Sequence, residues 1–217
     1  MTDTTRWWWI RHAPVDSQGR IYGQEDLDCD CGELALFTGL AERLPADALW
    51  VTSQLRRTHQ TAAAIHAHLP PPPPAPLVEP RFAEQHFGEW QGLSHEALRE
   101  LRAPEWHRFW HAPAHERPPG GESFDELVAR TAEAIGELSE RHAGRDIVCV
   151  AHGGTIRAAL AIALGGPSEA VLSFSIANCS LTRIDRIAGA AGSHDPDAAV
   201  AWRIGLVNFP PHGLLAG

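Results

Sequence analysis

Two histidines stand where short apolar runs stop. His12 ends Trp7-Trp8-Trp9-Ile10-Arg11-His12, and His152 ends Val148-Cys149-Val150-Ala151-His152, followed by Gly153-Gly154. A neutral imidazole can serve as nucleophile or proton carrier near pH 7. The arginine beside one histidine and the glycine pair beside the other suit an anion, since a guanidinium forks onto its oxygens and glycine allows the backbone to approach. Both runs are short, bounded and rich in β-branched or aromatic residues, and so read as buried strands. Ligands of open parallel sheets collect outside the carboxyl ends of the strands, so the two imidazoles share one site if their strands are neighbours.

Other groups along the chain could join them. Ser53-Gln54-Leu55-Arg56-Arg57-Thr58 offers two arginines, and Glu79, Glu84 and Glu89 offer carboxyls for proton transfer. Asp28-Cys29-Asp30-Cys31 has metal-binding residue types, but a lone four-residue loop lacks partners and no metal is expected. Glu84-Gln85-His86 is equally thin as a ligand pair.

The elements that must position these groups alternate. After the first strand, residues 13–32 read as a long loop punctuated by Pro14, Gly19, Gly23 and Gly32. A helix over Glu33–Leu44, a strand over Ala48–Thr52 and a helix to about His68 follow. The run Pro70–Pro74 ends that helix and reads as a polyproline spacer. A third strand is expected over Leu77–Phe82. Residues 86–119, with Trp90, Trp106 and Trp110 among prolines and histidines, read as a helical excursion that could cover the site. Ser123-Phe124-Asp125-Glu126 is a capping box opening a helix with one apolar face that ends near Gly144. A strand over 146–151, a helix over Thr155–Leu164 and strands over Ser180–Asp185 and Ala201–Val207 complete the sheet, with Gly189–Asp197 as a flexible turn. The expected fold is a three-layer α/β/α sandwich with a mostly parallel central sheet and a small helical lid, one domain over 1–217.

Composition excludes several classes. A net charge of −9 argues against nucleic acid or an anionic membrane surface as partner. All 18 basic residues are arginines. Without lysine, Schiff-base and P-loop chemistry drop out. The apolar stretch at Trp7–Ile10 is too short for a signal peptide, and the four cysteines do not form a disulfide framework, so a cytoplasmic, reduced protein is expected. The sequence is compatible with a monomer or a homodimer.

Taken in order, Arg11-His12, Ser53-x-Leu-x-Arg57-x-x-x-Thr61-Ala62, Glu84-x-x-x-Gly88-x-Trp90-x-Gly92, Gly120-Gly121-Glu122-Ser123 and His152-Gly153-Gly154 resemble the histidine phosphatase superfamily, the phosphoglycerate-mutase-like enzymes. The resemblance spans residues 6–185. It implies that His12 accepts the phosphoryl group and that Arg11 and Arg57 bind phosphate. It also implies that His152 is the second pocket histidine, Glu84 the proton donor, and Gly120–Ser123 a loop bordering the pocket. Pattern spacing favours Arg57 over Arg56. Gln18 falls where an asparagine often binds phosphate, and Gly153 sits beside the same anion. Ala13-Pro14-Val15 departs from the usual glycine and threonine after the Arg-His pair, removing a hydroxyl and a backbone donor. Tyr22-Gly23-Gln24-Glu25-Asp26-Leu27 is similar to the loop of α-ribazole phosphatases. The expected activity is therefore a cofactor-free phosphomonoesterase acting on a small phosphorylated metabolite, with α-ribazole 5′-phosphate as the first substrate to consider. A phosphoglycerate mutase and a non-catalytic phospho-ligand binder are the alternatives.

Overall fold

The computed structural model describes residues 3–104, 107, 109–189 and 200–211. Its strands are β1 (Asp3–Arg11), β2 (Leu49–Thr52), β3 (Leu77–Val78), β4 (Asp146–Ala151), β5 (Leu181–Ala188) and β6 (Val200–Phe209). Its helices are α1 (Leu34–Ala41), α2 (Arg56–His66), α3 (His95–Leu101), α4 (Phe124–Arg141), α5 (Gly153–Leu164) and the short α6 (Ser168–Val171). Single 3₁₀ turns lie at Pro80–Phe82 and Gly88–Trp90.

The strands form one sheet in the order β3-β2-β4-β1-β5-β6. β3, β2, β4 and β1 pair in parallel, while β5 runs antiparallel to both β1 and β6. The sheet is therefore mostly parallel, and helices cover both faces. Trp7 and Trp9 point to one face, where they stack on each other and meet Phe82 and the apolar residues of α4 and α5. Ile10 and Trp50 point to the other, against Phe37 and Leu40 of α1 and Ala62 and Ile65 of α2. Burial on both faces explains why β1 and β4 read as continuous apolar runs rather than alternating ones.

The capping box forms as expected: Ser123 Oγ accepts from Glu126 N–H at 3.2 Å, and Glu126 Oε2 accepts from Ser123 N–H at 2.8 Å. Three elements differ from expectation. The third strand stops after Val78, because Pro80 has no N–H for the ladder and its fixed φ suits the start of a 3₁₀ turn, which Glu79 caps through Arg81 N–H. Helix α5 begins at Gly153 rather than Thr155, with His152 as its N-cap. In the 86–119 excursion, only α3 and the turn at Gly88–Trp90 are helical among the described residues, since Pro104, Pro113, Pro118 and Pro119 interrupt it. Trp106 and residues 190–197 of the expected turn lie outside the described residues.

Candidate active site

Register brings the two histidines together. Arg11 lies opposite Ala151 in the parallel β1–β4 pair, and His12 N–H donates to the Ala151 carbonyl at 3.0 Å. The chains leave the sheet side by side, with the rings of His12 and His152 5.3 Å apart between centroids. Both are buried, at 1% and 0% exposure.

His12 Nδ1 lies 2.7 Å from the Ala13 carbonyl. A carbonyl only accepts, so Nδ1 carries the proton and the lone pair sits on Nε2. Burial, with Arg57 and then Arg11 nearby, holds this imidazole well below the usual histidine range, so the ring is neutral. The turn after it is pinned by Asn178, whose Nδ2 donates to the His12 carbonyl at 2.8 Å, and by Thr61, whose hydroxyl accepts from Ala13 N–H at 2.8 Å.

Arg57, at the start of α2, is fully buried. Its Nη1 donates to the Glu25 carbonyl, its Nη2 to the Gly23 carbonyl and its Nε to His152 Nδ1, at 2.7, 2.6 and 3.3 Å. It also lies over the Tyr22 ring at 5.0 Å. Three of five guanidinium hydrogens are thus used, and each terminal nitrogen keeps one. Accepting at Nδ1 leaves His152 a proton on Nε2, which it donates to Ser53 Oγ at 2.8 Å. In this arrangement neither nitrogen of His152 is turned toward an incoming anion. Burial, then Arg57 and His12, hold its pKa well below the usual range. Arg56 points away, paired with Asp26 and Asp28 on the surface.

Arg11 donates from Nη1 to the Ile176 carbonyl at 2.6 Å. Its Nε is buried with no hydrogen-bond partner among the described residues. A Cβ built on Gly153 would lie 3.6 Å from that nitrogen, so the unpaired donor lies against the start of α5. A helix N-terminus beside a guanidinium is a ready anion site.

Glu84 also lies against the start of α5. Oε1 accepts from Gln85 N–H at 2.9 Å and from Gly154 N–H at 3.0 Å. Its backbone is braced by Arg130, which donates to the carbonyls of Glu84 and Arg81 and pairs with Glu122. Gly120–Ser123 belongs to this brace: Glu122 accepts from His86 N–H, and Gly121 packs on the backbone of His86–Gly88. Glu79 is bound to Arg81, on the sheet edge.

Above these groups opens a cavity of about 310 Å³, lined by Arg11, Tyr22, Glu84, Trp110, His111 and Asn178 among others. His111 is pushed down to about 3 by burial, His95 and Arg157. Gln18 is exposed, in a left-handed conformation with its N–H on Asp16, and Ser17 and Arg20 line the cavity in its place. Sequence reasoning missed Asn178 and Arg157. Arg157, one helical turn beyond Gly153, lies over the Trp110 ring at 4.6 Å and is pushed down to about 10 by burial. That four-residue spacing from Gly153 was the available signal, whereas nothing local marks Asn178. Among the described residues, no group of three histidine, cysteine or acidic side chains is placed to hold a metal ion, and no helix is long and apolar enough to cross a membrane.

This geometry has relatives. Over 92% of both chains, the protein is 31% identical to a glucosyl-3-phosphoglycerate phosphatase of Mycolicibacterium vanbaalenii. It is 32% identical to a metal-independent phosphoserine phosphatase of Arabidopsis thaliana, over 69% of this chain and 64% of that one. The solved complex of a mycobacterial glucosyl-3-phosphoglycerate phosphatase with inorganic phosphate superposes with a TM-score of 0.76 at 29% identity, covering 95% of this chain and 98% of the other. The model of the histidine phosphatase superfamily (branch 1) matches residues 7–193, from the first strand through the paired histidines and β5. With that span and those relatives, the chain is a phosphatase- and mutase-like enzyme and belongs to the histidine phosphatase superfamily.

Proposed function

We propose that this enzyme hydrolyses the phosphomonoester of a small metabolite through a phosphohistidine on His12. One observation carries the reading: a buried, neutral His12 with its Nε2 lone pair free stands beside the unpaired Nε of Arg11. Nε2 attacks phosphorus, the P–O bond to the alcohol breaks, and Glu84 supplies the leaving oxygen with a proton. Water then attacks the phosphohistidine, Glu84 takes up its proton, and inorganic phosphate leaves. The transition state spreads charge over the equatorial oxygens, so fixed donors do most of the work. Arg11 Nε, the Gly153 N–H and the remaining Nη hydrogens of Arg57 are those donors. An arriving dianion favours a proton on His152 Nδ1, which turns from acceptor to donor and frees Arg57 Nε for the same anion. Gln18, exposed beside the cavity-lining Ser17, is given no role in this reading.

The substrate we favour is α-ribazole 5′-phosphate. The Tyr22–Leu27 loop supports it, as does a cavity walled by Tyr22, Phe87 and Trp110 for a ring-bearing alcohol. The mycobacterial relatives support glucosyl-3-phosphoglycerate as a second reading. A reactive aryl phosphate should leave an acid-labile, alkali-stable label on the peptide containing His12. The kcat/KM values for α-ribazole phosphate, glucosyl-3-phosphoglycerate and 3-phosphoglycerate then rank the substrates. A label on Ser53 or Cys29 overturns the phosphohistidine. Isomerisation of 3-phosphoglycerate faster than any hydrolysis overturns the phosphatase in favour of a mutase.

A further inference from the structure

We propose that Cys29 and Cys31 are a peroxide-responsive modification site that closes to a disulfide and slows the enzyme. The two Sγ atoms lie 3.6 Å apart in this structure, with both thiols free and half-buried. Residues two apart have Cα atoms separated by at most about 7 Å, and a disulfide needs about 4.4–6.8 Å. Closure therefore asks the two sulfurs to draw in from 3.6 Å to about 2.0 Å, a contraction across Asp30.

The contraction falls on groups that hold the site. The Cys29 thiol donates to the Arg57 carbonyl at 3.3 Å and touches Thr61 Oγ1 at 3.6 Å. Thr61 in turn holds the N–H of Ala13, next to His12, at 2.8 Å. Cys29 N–H is bound to Gln60, and Asp30 N–H donates to the Pro14 carbonyl at 2.7 Å. The thiol pair is thus wedged between the turn that follows His12 and the first turns of α2, which carry Arg57. A bridge removes the thiol donor from the Arg57 carbonyl and pulls Asp30 against Pro14.

The chemistry has a direction. Burial, with Cys29 alongside, pushes the Cys31 thiol up to about 12, so Cys31 keeps its proton until it resolves the sulfenic acid. Cys29 attacks one oxygen of hydrogen peroxide and becomes a sulfenic acid, releasing water. Cys31 sulfur then displaces hydroxyl from Cys29 sulfur, and the Cys31 proton leaves with it as a second water. Two thiols are oxidised and one peroxide is reduced to two waters. Cys149 and Cys179 are fully buried and take no part.

Both cysteines fall in one tryptic peptide, residues 21–43, which holds no other cysteine. Treated with hydrogen peroxide, the native enzyme should lose two hydrogens from this peptide. Its kcat/KM on an aryl phosphate should fall about tenfold, within reach of a sub-ångström misplacement, and dithiothreitol should restore both. Cys31→Ser should keep its basal activity and form no bridge: its peptide should show no two-hydrogen loss and should carry added oxygen on Cys29 instead. The proposal is overturned if the peptide keeps both thiols or passes to sulfinic acid unbridged. It is also overturned if the bridge forms with turnover unchanged, or if Cys31→Ser shows the same two-hydrogen loss as the native enzyme. The effect on turnover rests on the phosphatase reading, but the bridge does not: the mass change is read without any substrate. An enzyme inactive on every phosphate would fail the first reading and leave the second intact.

Discussion

Glu84 Oε1 accepts the Gly154 N–H at 3.0 Å, and a Cβ at position 154 would collide with that same oxygen. The glycine thus gives the carboxylate both its hydrogen bond and its room. Gly154→Ala should push Glu84 out of line and cut kcat/KM on alkyl phosphates by about 10²-fold. Helix propensity favours alanine by about 1 kcal/mol, so a folded variant with poor turnover separates displacement from unfolding. Wild-type kinetics with alanine in place would mean that the position of Glu84 does not matter.

Arg57 gives a second test, because its three engaged nitrogens point in three directions. Lysine keeps the charge but cannot reach the Gly23 and Glu25 carbonyls and His152 Nδ1 together. Arg57→Lys should lower kcat/KM by about 10²- to 10³-fold, as expected for removal of a preorganised oxyanion donor. Urea denaturation should show a loss of about 1–3 kcal/mol from the acceptors left without partners. Full activity in the lysine variant would reduce Arg57 to a buried filler.

The legible part of this site is the part set by chain direction. Strand ends at His12 and His152 follow from short apolar runs, and parallel pairing does the rest. What stayed hidden depends on contacts between segments distant in sequence. Ser53 stood inside a recognisable pattern, but its bond to His152 needs β2 and β4 to be neighbours. Asn178 sits in a loop with no periodicity, and its bond to the His12 carbonyl spans 166 positions. Gln18 shows the opposite limit: a matching position in a loop fixes the residue type, but not the left-handed backbone and exposed side chain found there. The third strand is shorter than expected because the apolar Phe82 lies beyond Pro80, and proline ends ladder pairing there.

Stability should fall as the medium is acidified. His12 and His152 are held well below the unfolded value of about 6.5. Below that pH the unfolded chain takes up protons that the folded chain refuses. The stability these neutral imidazoles contribute is therefore full above about pH 6.5 and erodes below it, by about 1.4 kcal/mol per pH unit for each histidine. His111, pushed down to about 3, adds to the slope. Urea denaturation at pH 7.5, 6.5 and 5.5 reads it. Unchanged stability across that range would show that the buried rings take up protons as readily as the unfolded chain.

Glu84→Gln tests mechanism as well as place. An alkyl phosphate departs as a strongly basic alkoxide and needs a proton, whereas nitrophenolate leaves nearly unaided. Glutamine preserves size and can still accept the N–H groups of Gln85 and Gly154, so the pocket should keep its shape. It cannot deliver a proton. The loss should be about 10²- to 10⁴-fold on alkyl esters and far smaller on the aryl ester, while His12→Ala should abolish both. Measuring kcat/KM for the two ester types in both enzymes decides it. Equal losses on the two would leave Glu84 as a positioning group that holds the start of α5, and Glu89 would be the next acid to substitute.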